Sequence, residues 1–185
     1  MVPSPEHERS AGKESLIVLG FDPGTANTGW GVVERRGNRL ASLGHGCIVT
    51  SAKDDTHVRL RQIYDGARLL ICRFQPDVVV LEELFVNVSV KTALGVGQAK
   101  GVLYLAASDL PVAPCEYSPL QVKRAVTGYG RASKLQVQEM TKVILGLPRI
   151  PRPDHAADAL AVAITHSHQC AMVVASGVSR PGPTA

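Results

Sequence analysis

The chain reads as an α/β domain built on a five-stranded mixed sheet flanked by helices. Three observations predict this. Up to Thr50 the apolar residues group into three strand-like runs. From Thr56 onward, segments with a helical apolar stripe alternate with two short apolar runs of strand length. Strands close in sequence favour antiparallel pairing, while strands separated by helices favour parallel pairing, so the sheet is mixed.

Each element has its own signal. Ser15–Asp22 is strongly apolar (Leu16, Ile17, Val18, Leu19, Phe21) and reads as the first strand. Residues 29–34 form a second strand. Arg36-Gly37-Asn38 marks a turn, and residues 40–50 form a third strand. Residues 56–75 place Leu60, Ile63, Ala67, Leu70 and Phe74 on one helical stripe, and Pro76 stops the helix. Residues 77–82 are a continuous apolar run, as expected of a strand buried on both faces. A second helix over 89–108 carries Gly95, Gly97 and Gly101, which suggest close packing against a neighbour, including another subunit. Residues 112–117 give the fifth strand. Ser118-Pro119 opens a helix to about Val126, and Ser133 with Gln136 forms a capping box for a helix over 133–145. Asp154 is expected to N-cap a last helix over 154–169.

Composition bounds the class. A chain of 185 residues suits one domain burying roughly 70% of its unfolded surface, so no disulfide or metal staple is needed. Hydrophobic residues at 45% and charged residues at 19% exclude a mainly disordered chain. Cys47, Cys72, Cys115 and Cys170 are 25, 43 and 55 residues apart, a spacing that excludes a zinc ribbon. They read as reduced core residues of a cytoplasmic protein. No apolar run reaches the roughly 18 residues of a membrane span, and residues 1–14 lack the apolar stretch of a signal peptide. The expected organisation is a tail over 1–14, a domain over 15–174 and a second tail over 175–185.

The net charge is +4, and its distribution says more than its size. Between Glu116 and Arg152 seven basic residues (Lys123, Arg124, Arg131, Lys134, Lys142, Arg149, Arg152) face only two acids, so this stretch carries +5. It reads as a phosphate-binding surface.

Acids stand at the ends of buried strands. Asp22 closes the first strand before a Gly-rich turn, and Glu82 closes the fourth. Burying either charge is costly without compensation, and strand ends are where α/β sheets build sites. Asp154, His155 and Asp158 sit on an Ala-rich helix that can approach the sheet closely. Asp154 has an ordinary explanation as a cap. Asp158, inside an Ala/Leu/Val run, has little reason to be there except as a ligand. Such donors suit Mg²⁺ or Mn²⁺, and two ions about 4 Å apart serve phosphodiester hydrolysis.

The motifs Gly20-Phe21-Asp22-Pro23-Gly24-Thr25, Thr28-Gly29-Trp30-Gly31-Val32, Leu81-Glu82-Glu83-Leu84-Phe85, Gly97-Gln98-Ala99-Lys100-Gly101 and Ala156-Ala157-Asp158-Ala159-Leu160 resemble the RuvC family of bacterial Holliday-junction resolvases. The resemblance runs from about Leu16 to His168. It implies an RNase H-like fold and a homodimer that nicks two opposed strands of four-way junction DNA in recombination and repair. It also implies Asp22, Glu82, His155 and Asp158 as metal ligands, with two ions per subunit. Where the family commonly has Asp-x-x-Asp, this chain has His155-Ala156-Ala157-Asp158. A nitrogen ligand favours Mn²⁺ over Mg²⁺, so Mn²⁺ is expected to be preferred. Lys123 and Lys134 are implied near the scissile phosphate, Phe85 at the opened junction centre, and Arg131 with Tyr129 as weaker DNA contacts. The RuvA/RuvB branch-migration complex is an implied partner. Three alternatives share parts of the pattern: an RNase H-like nuclease acting on RNA, a non-catalytic junction-binding protein, against which the intact Asp22, Glu82 and Asp158 argue, and a fragment of an actin-like or sugar-kinase ATPase. The ATPases have a first phosphate loop similar to Asp22-Pro23-Gly24-Thr25 but need two such domains.

Overall fold

The structure, a computed structural model, describes residues 15–83, 89–111 and 113–176. For residues 91 and 171–176 it describes the backbone alone. Five strands, β1 (Ser15–Asp22), β2 (Asn27–Arg36), β3 (Arg39–Val49), β4 (Val78–Glu82) and β5 (Cys115–Tyr117), form one sheet in the order β3-β2-β1-β4-β5. β1 pairs antiparallel with β2 and β2 with β3, whereas β1–β4 and β4–β5 are parallel. The helices are α1 (Thr56–Phe74), α2 (Val90–Ala107), α3 (Pro119–Thr127), α4 (Lys134–Ile144) and α5 (Asp154–Ser176). The expected element order and mixed sheet are therefore observed.

Side-chain alternation along the strands decides what each face holds. Leu19 and Phe21 of β1, Val32 of β2, and Val79 and Leu81 of β4 face α1 and α2, where Ile63, Ala67, Ala99 and Leu103 complete a buried cluster. Val18, Val33, Val78 and Val80 face the other way, onto α3, α4 and α5, with Val122, Val137 and Leu160. Each such side chain contributes about 1.5–3 kcal/mol when fully buried. One step beyond the described apolar residues on this second face come Asp22 and Glu82.

The approach of α5 to the sheet depends on glycine. A Cβ at Gly20 would stand 2.2 Å from the Ala159 carbonyl oxygen, and one at Gly29 would stand 2.0 Å from that of His155. No side chain fits in either gap. The alanines of α5 complete the fit: Ala156, Ala157, Ala159, Ala161 and Ala163 are at most 1% exposed.

Several boundaries differ from expectation. β2 is longer by two residues at each end than 29–34, because the hairpin ladder continues to the Gly37-Asn38 turn. Gly37 takes φ +57° there. β5 starts only at Cys115. α5 runs on to Ser176. Asp154 is its first helical residue and not its N-cap; the Pro153 carbonyl accepts from the Ala156 N–H instead. Both capping boxes, Ser118 with Gln121 and Ser133 with Gln136, are formed. None of the four cysteines is fully buried: Cys72 is exposed, Cys47 and Cys170 are half-buried, and half-buried Cys115 packs against the edge of a core cluster. No helix among the described residues is long and apolar enough to cross a membrane.

Candidate functional site

Parallel pairing of β1 and β4 aligns Phe21 with Leu81, so Asp22 and Glu82 end adjacent strands side by side. In the hairpin Asp22 lies opposite Gly29, and the first turn of α5 rests on Gly29. That seat delivers His155 to Asp22: His155 Nδ1 is 2.7 Å from Asp22 Oδ2. Asp158, three residues on, shares the same helical face. Donor atoms of Asp22, His155 and Asp158 lie within 4.8 Å of one another. The first and last parts of the sequence pattern thus meet at one point.

Glu82 stands apart from this close group and lines a cleft beside it, together with Asp158, Lys123, Lys134, Pro119 and Val137. Burial pushes the Glu82 carboxyl up to about 7, and the charges of Asp22 and Asp158 add to the effect against Lys134 and His155. Burial also raises Asp158, although the bond from Lys134 opposes it. The Asp22 bond raises His155, outweighing its burial. Burial thus leads for the two carboxyls and the Asp22 bond for the imidazole, in a site where three carboxyl groups crowd together. Oxygen donors and one imidazole in that setting fit a divalent cation. If Nδ1 of His155 donates to Asp22, Nε2 and the second Asp22 oxygen stay available as ligands.

Lys134 supplies local positive charge. As the first residue of α4, its Nζ is 2.9 Å from Asp158 Oδ2 and 3.8 Å from Asp154 Oδ2. Burial works against its charge, but the bond and the charges of Asp158, Asp154 and Asp22 prevail and raise its pKa. Asp154 is also paired with Arg152 Nη1 and is not in the close donor group. Lys123, on α3, is half-buried at the cleft. Arg131 and Tyr129 are exposed on the α3–α4 connection and do not line the cleft. Phe85 lies outside the described residues.

One contact and one neighbour of the site were not expected from sequence. Lys134 was expected at a phosphate, and it is bound to Asp158. Cys47 lies opposite Gly29 on β3, on the Asp22 side of the sheet. Its thiol is pushed up by burial and then by the Asp22 charge.

Comparison with known proteins bears on the family and the fold. A family model described as "Crossover junction endodeoxyribonuclease RuvC" matches residues 18–166. The protein of that name from Rubrobacter xylanophilus is 51% identical over 165 residues, covering 89% of this chain and 92% of its own. That from Chloroflexus aggregans is 50% identical over 164 residues, covering 89% of this chain and all of its own. The solved structure of T. thermophilus RuvC in complex with a Holliday junction substrate superposes with a TM-score of 0.81 at 37% identity, covering 85% of this chain and 96% of that one. The sheet order, the acids at its strand ends and these likenesses have one common explanation: the chain belongs to the RuvC family of crossover junction endodeoxyribonucleases.

Proposed function

We propose that this protein resolves four-way DNA junctions by paired, divalent-metal-dependent nicks, with Asp22, Glu82, His155 and Asp158 as metal ligands. One observation carries the reading. Asp158, grouped with Asp22 and His155 as a donor, also lines a cleft with Glu82, Lys123 and Lys134. Acids for a metal and lysines for a phosphodiester share one cleft, as metal-assisted phosphodiester hydrolysis requires.

A divalent cation held by these donors would supply Lewis-acid polarisation and neutralise charge on the phosphate; Mg²⁺ and Mn²⁺ both suit the set, and His155 tips the preference toward Mn²⁺. The chain's own residues do the rest. Asp22 orients the His155 ring through the 2.7 Å contact. Lys123 and Lys134, on α3 and α4, attract the DNA backbone and hold it over the acids. The capped N-terminus of α4 adds N–H groups beside Lys134, a favourable place for phosphate.

Two symmetric nicks need two such sites, hence a two-fold dimer. α2 offers the surface for it. Val90, Leu94 and Leu105 are 76%, 65% and 62% exposed on one stripe with Gly97 and Gly101, where an added Cβ would meet nothing within 4 Å. Ala99, Leu103, Ala106 and Ala107, on the opposite side, are buried. An apolar stripe of this kind marks an interaction site, and small residues let two backbones approach. The dimer is expected to act in the cytoplasm, alongside the RuvA/RuvB complex.

The test is cleavage of a synthetic four-way junction with Mg²⁺ or Mn²⁺, beside linear duplex, RNA and an ATP-binding control. Junction cutting that disappears in Asp22→Asn is the expected result. Failure to cut the junction with either ion refutes the proposal.

A further inference from the structure

The strongest unexplained feature near the site is a chain of hydrogen bonds behind the turn that follows Asp22. Asp22 is the last residue of β1, and the chain must reverse within residues 23–26 to start β2 at Asn27. Three successive carbonyls of that turn are occupied. Gly24 accepts from Thr28 Oγ1 at 2.7 Å, Thr25 from Thr50 Oγ1 at 2.5 Å, and Ala26 from the Thr50 N–H at 3.0 Å. Thr50 is only 7% exposed, and its Oγ1 in turn accepts from Arg59 Nε at 2.9 Å. The Thr25 side chain also meets α2, since an added Cβ at Gly95 would stand 3.4 Å from Thr25 Oγ1.

Arg59 is an odd residue for its place. It sits in the first turn of α1, which holds no acid, at the end of the helix where a cation is unfavourable. It is half-buried, and its bond goes to a neutral hydroxyl, not to a carboxylate. Local helix physics gives no reason for this cation, whereas the Thr50 bond does.

We infer that Thr50 and Arg59 are positioning residues for Asp22, acting through the turn 23–26. Arg59 orients the Thr50 hydroxyl, and Thr50 holds the Thr25 and Ala26 carbonyls. The turn then fixes the direction in which the final residue of β1 presents its carboxylate. The inference rests on the proposed role of Asp22 as a metal ligand, and it extends that role to residues that touch neither metal nor DNA.

The experiment compares Thr50→Val, Thr50→Ser, Arg59→Gln and Asp22→Asn with the native protein. Mn²⁺ affinity is read by electron paramagnetic resonance on DNA-free protein, and kcat and KM for a four-way junction are read separately. Thr50→Val keeps the side-chain shape but loses the hydroxyl. It is expected to weaken Mn²⁺ binding about threefold and to lower kcat about tenfold at unchanged KM, the size of effect a small misplacement produces. Thr50→Ser is expected to restore both, and Arg59→Gln to move both in the same direction by less. Native Mn²⁺ affinity and kcat in Thr50→Val overturn the inference, as does equal damage in Thr50→Ser. If Thr50→Val does not fold, native Mn²⁺ affinity in folded Arg59→Gln overturns it. Asp22→Asn separates the two levels: native Mn²⁺ binding there refutes Asp22 as a ligand, while its loss beside an unaffected Thr50→Val refutes the positioning role alone.

Discussion

Replacing Glu82 with Gln is expected to stabilise the metal-free protein at alkaline pH. Glu82 titrates at about 7 in the fold, against an ordinary value of 4.5, because it is buried beside Asp22 and Asp158. A carboxyl with a raised folded pKa favours the fold below 4.5, and that contribution is lost as pH climbs through about 7. At about 1.4 kcal/mol per unit, the shift from 4.5 to about 7 amounts to about 3 kcal/mol of lost stability once Glu82 is ionised. Gln fills nearly the same volume and never ionises. Urea unfolding of metal-stripped protein is the assay, at about pH 5 and about pH 8. The variant should gain on the native protein by about 2.5 kcal/mol between those two conditions, because the unfolded chain is already largely ionised at about pH 5. Some pH dependence remains in the variant, since His155, raised by the Asp22 bond, loses its own contribution over the same rise in pH. The same variant should lose junction cleavage, because the destabilising charge is the one a cation needs. A native-minus-variant difference that is the same at both pH values would refute the reasoning, since Glu82 would then titrate alike in folded and unfolded chains.

Three further outcomes follow. Lys134→Ala should bind Mn²⁺ about threefold more tightly in a calorimetric titration, because it removes a competing cation from a half-exposed ion pair, while cleaving the junction more slowly. His155→Asp should raise the Mg²⁺-supported rate relative to the Mn²⁺-supported one, and an unchanged ratio in steady-state cleavage counts against His155 as a ligand. Leu94→Lys combined with Leu105→Lys should give a monomer by light scattering, since both side chains lie exposed on the same stripe of α2. A persistent dimer would move the interface elsewhere.

Strand ends and helix periods made the site legible in advance. Asp22 and Glu82 ended apolar runs, and parallel β1 and β4 placed them together. Asp158 stood out because an acid within an Ala/Leu/Val helix needs a partner, and it has one in Lys134. Interactions set by three-dimensional packing were not legible. Nothing in the spacing of Lys134 and Asp158 shows that α4 starts beside α5. Cys47 is hidden for a sharper reason. The Arg36↔Arg39 pair of the hairpin, extended without interruption, would set residue 46 opposite Gly29. A bulge between Val32 and Val33 shifts the register by one and sets Cys47 there. A single irregular residue exchanges the two faces of everything beyond it. Asp154 looked like a cap because its type suits that role, yet α5 begins one residue earlier than a cap at this position requires.

The seat of α5 on Gly29 bears on how this site can evolve. The atoms that would collide with a Cβ at Gly29 are the carbonyl oxygen, the carbonyl carbon and the Cβ of His155, parts that every residue except glycine has in common. Gly29 therefore holds position 155 by its backbone, independently of what the side chain carries beyond Cβ. Imidazole can give way to carboxylate without moving the helix, and Asp158 keeps its place through the exchange. Metal preference becomes a trait that a single substitution at 155 can shift, whereas any side chain added at Gly29 would displace the helix itself.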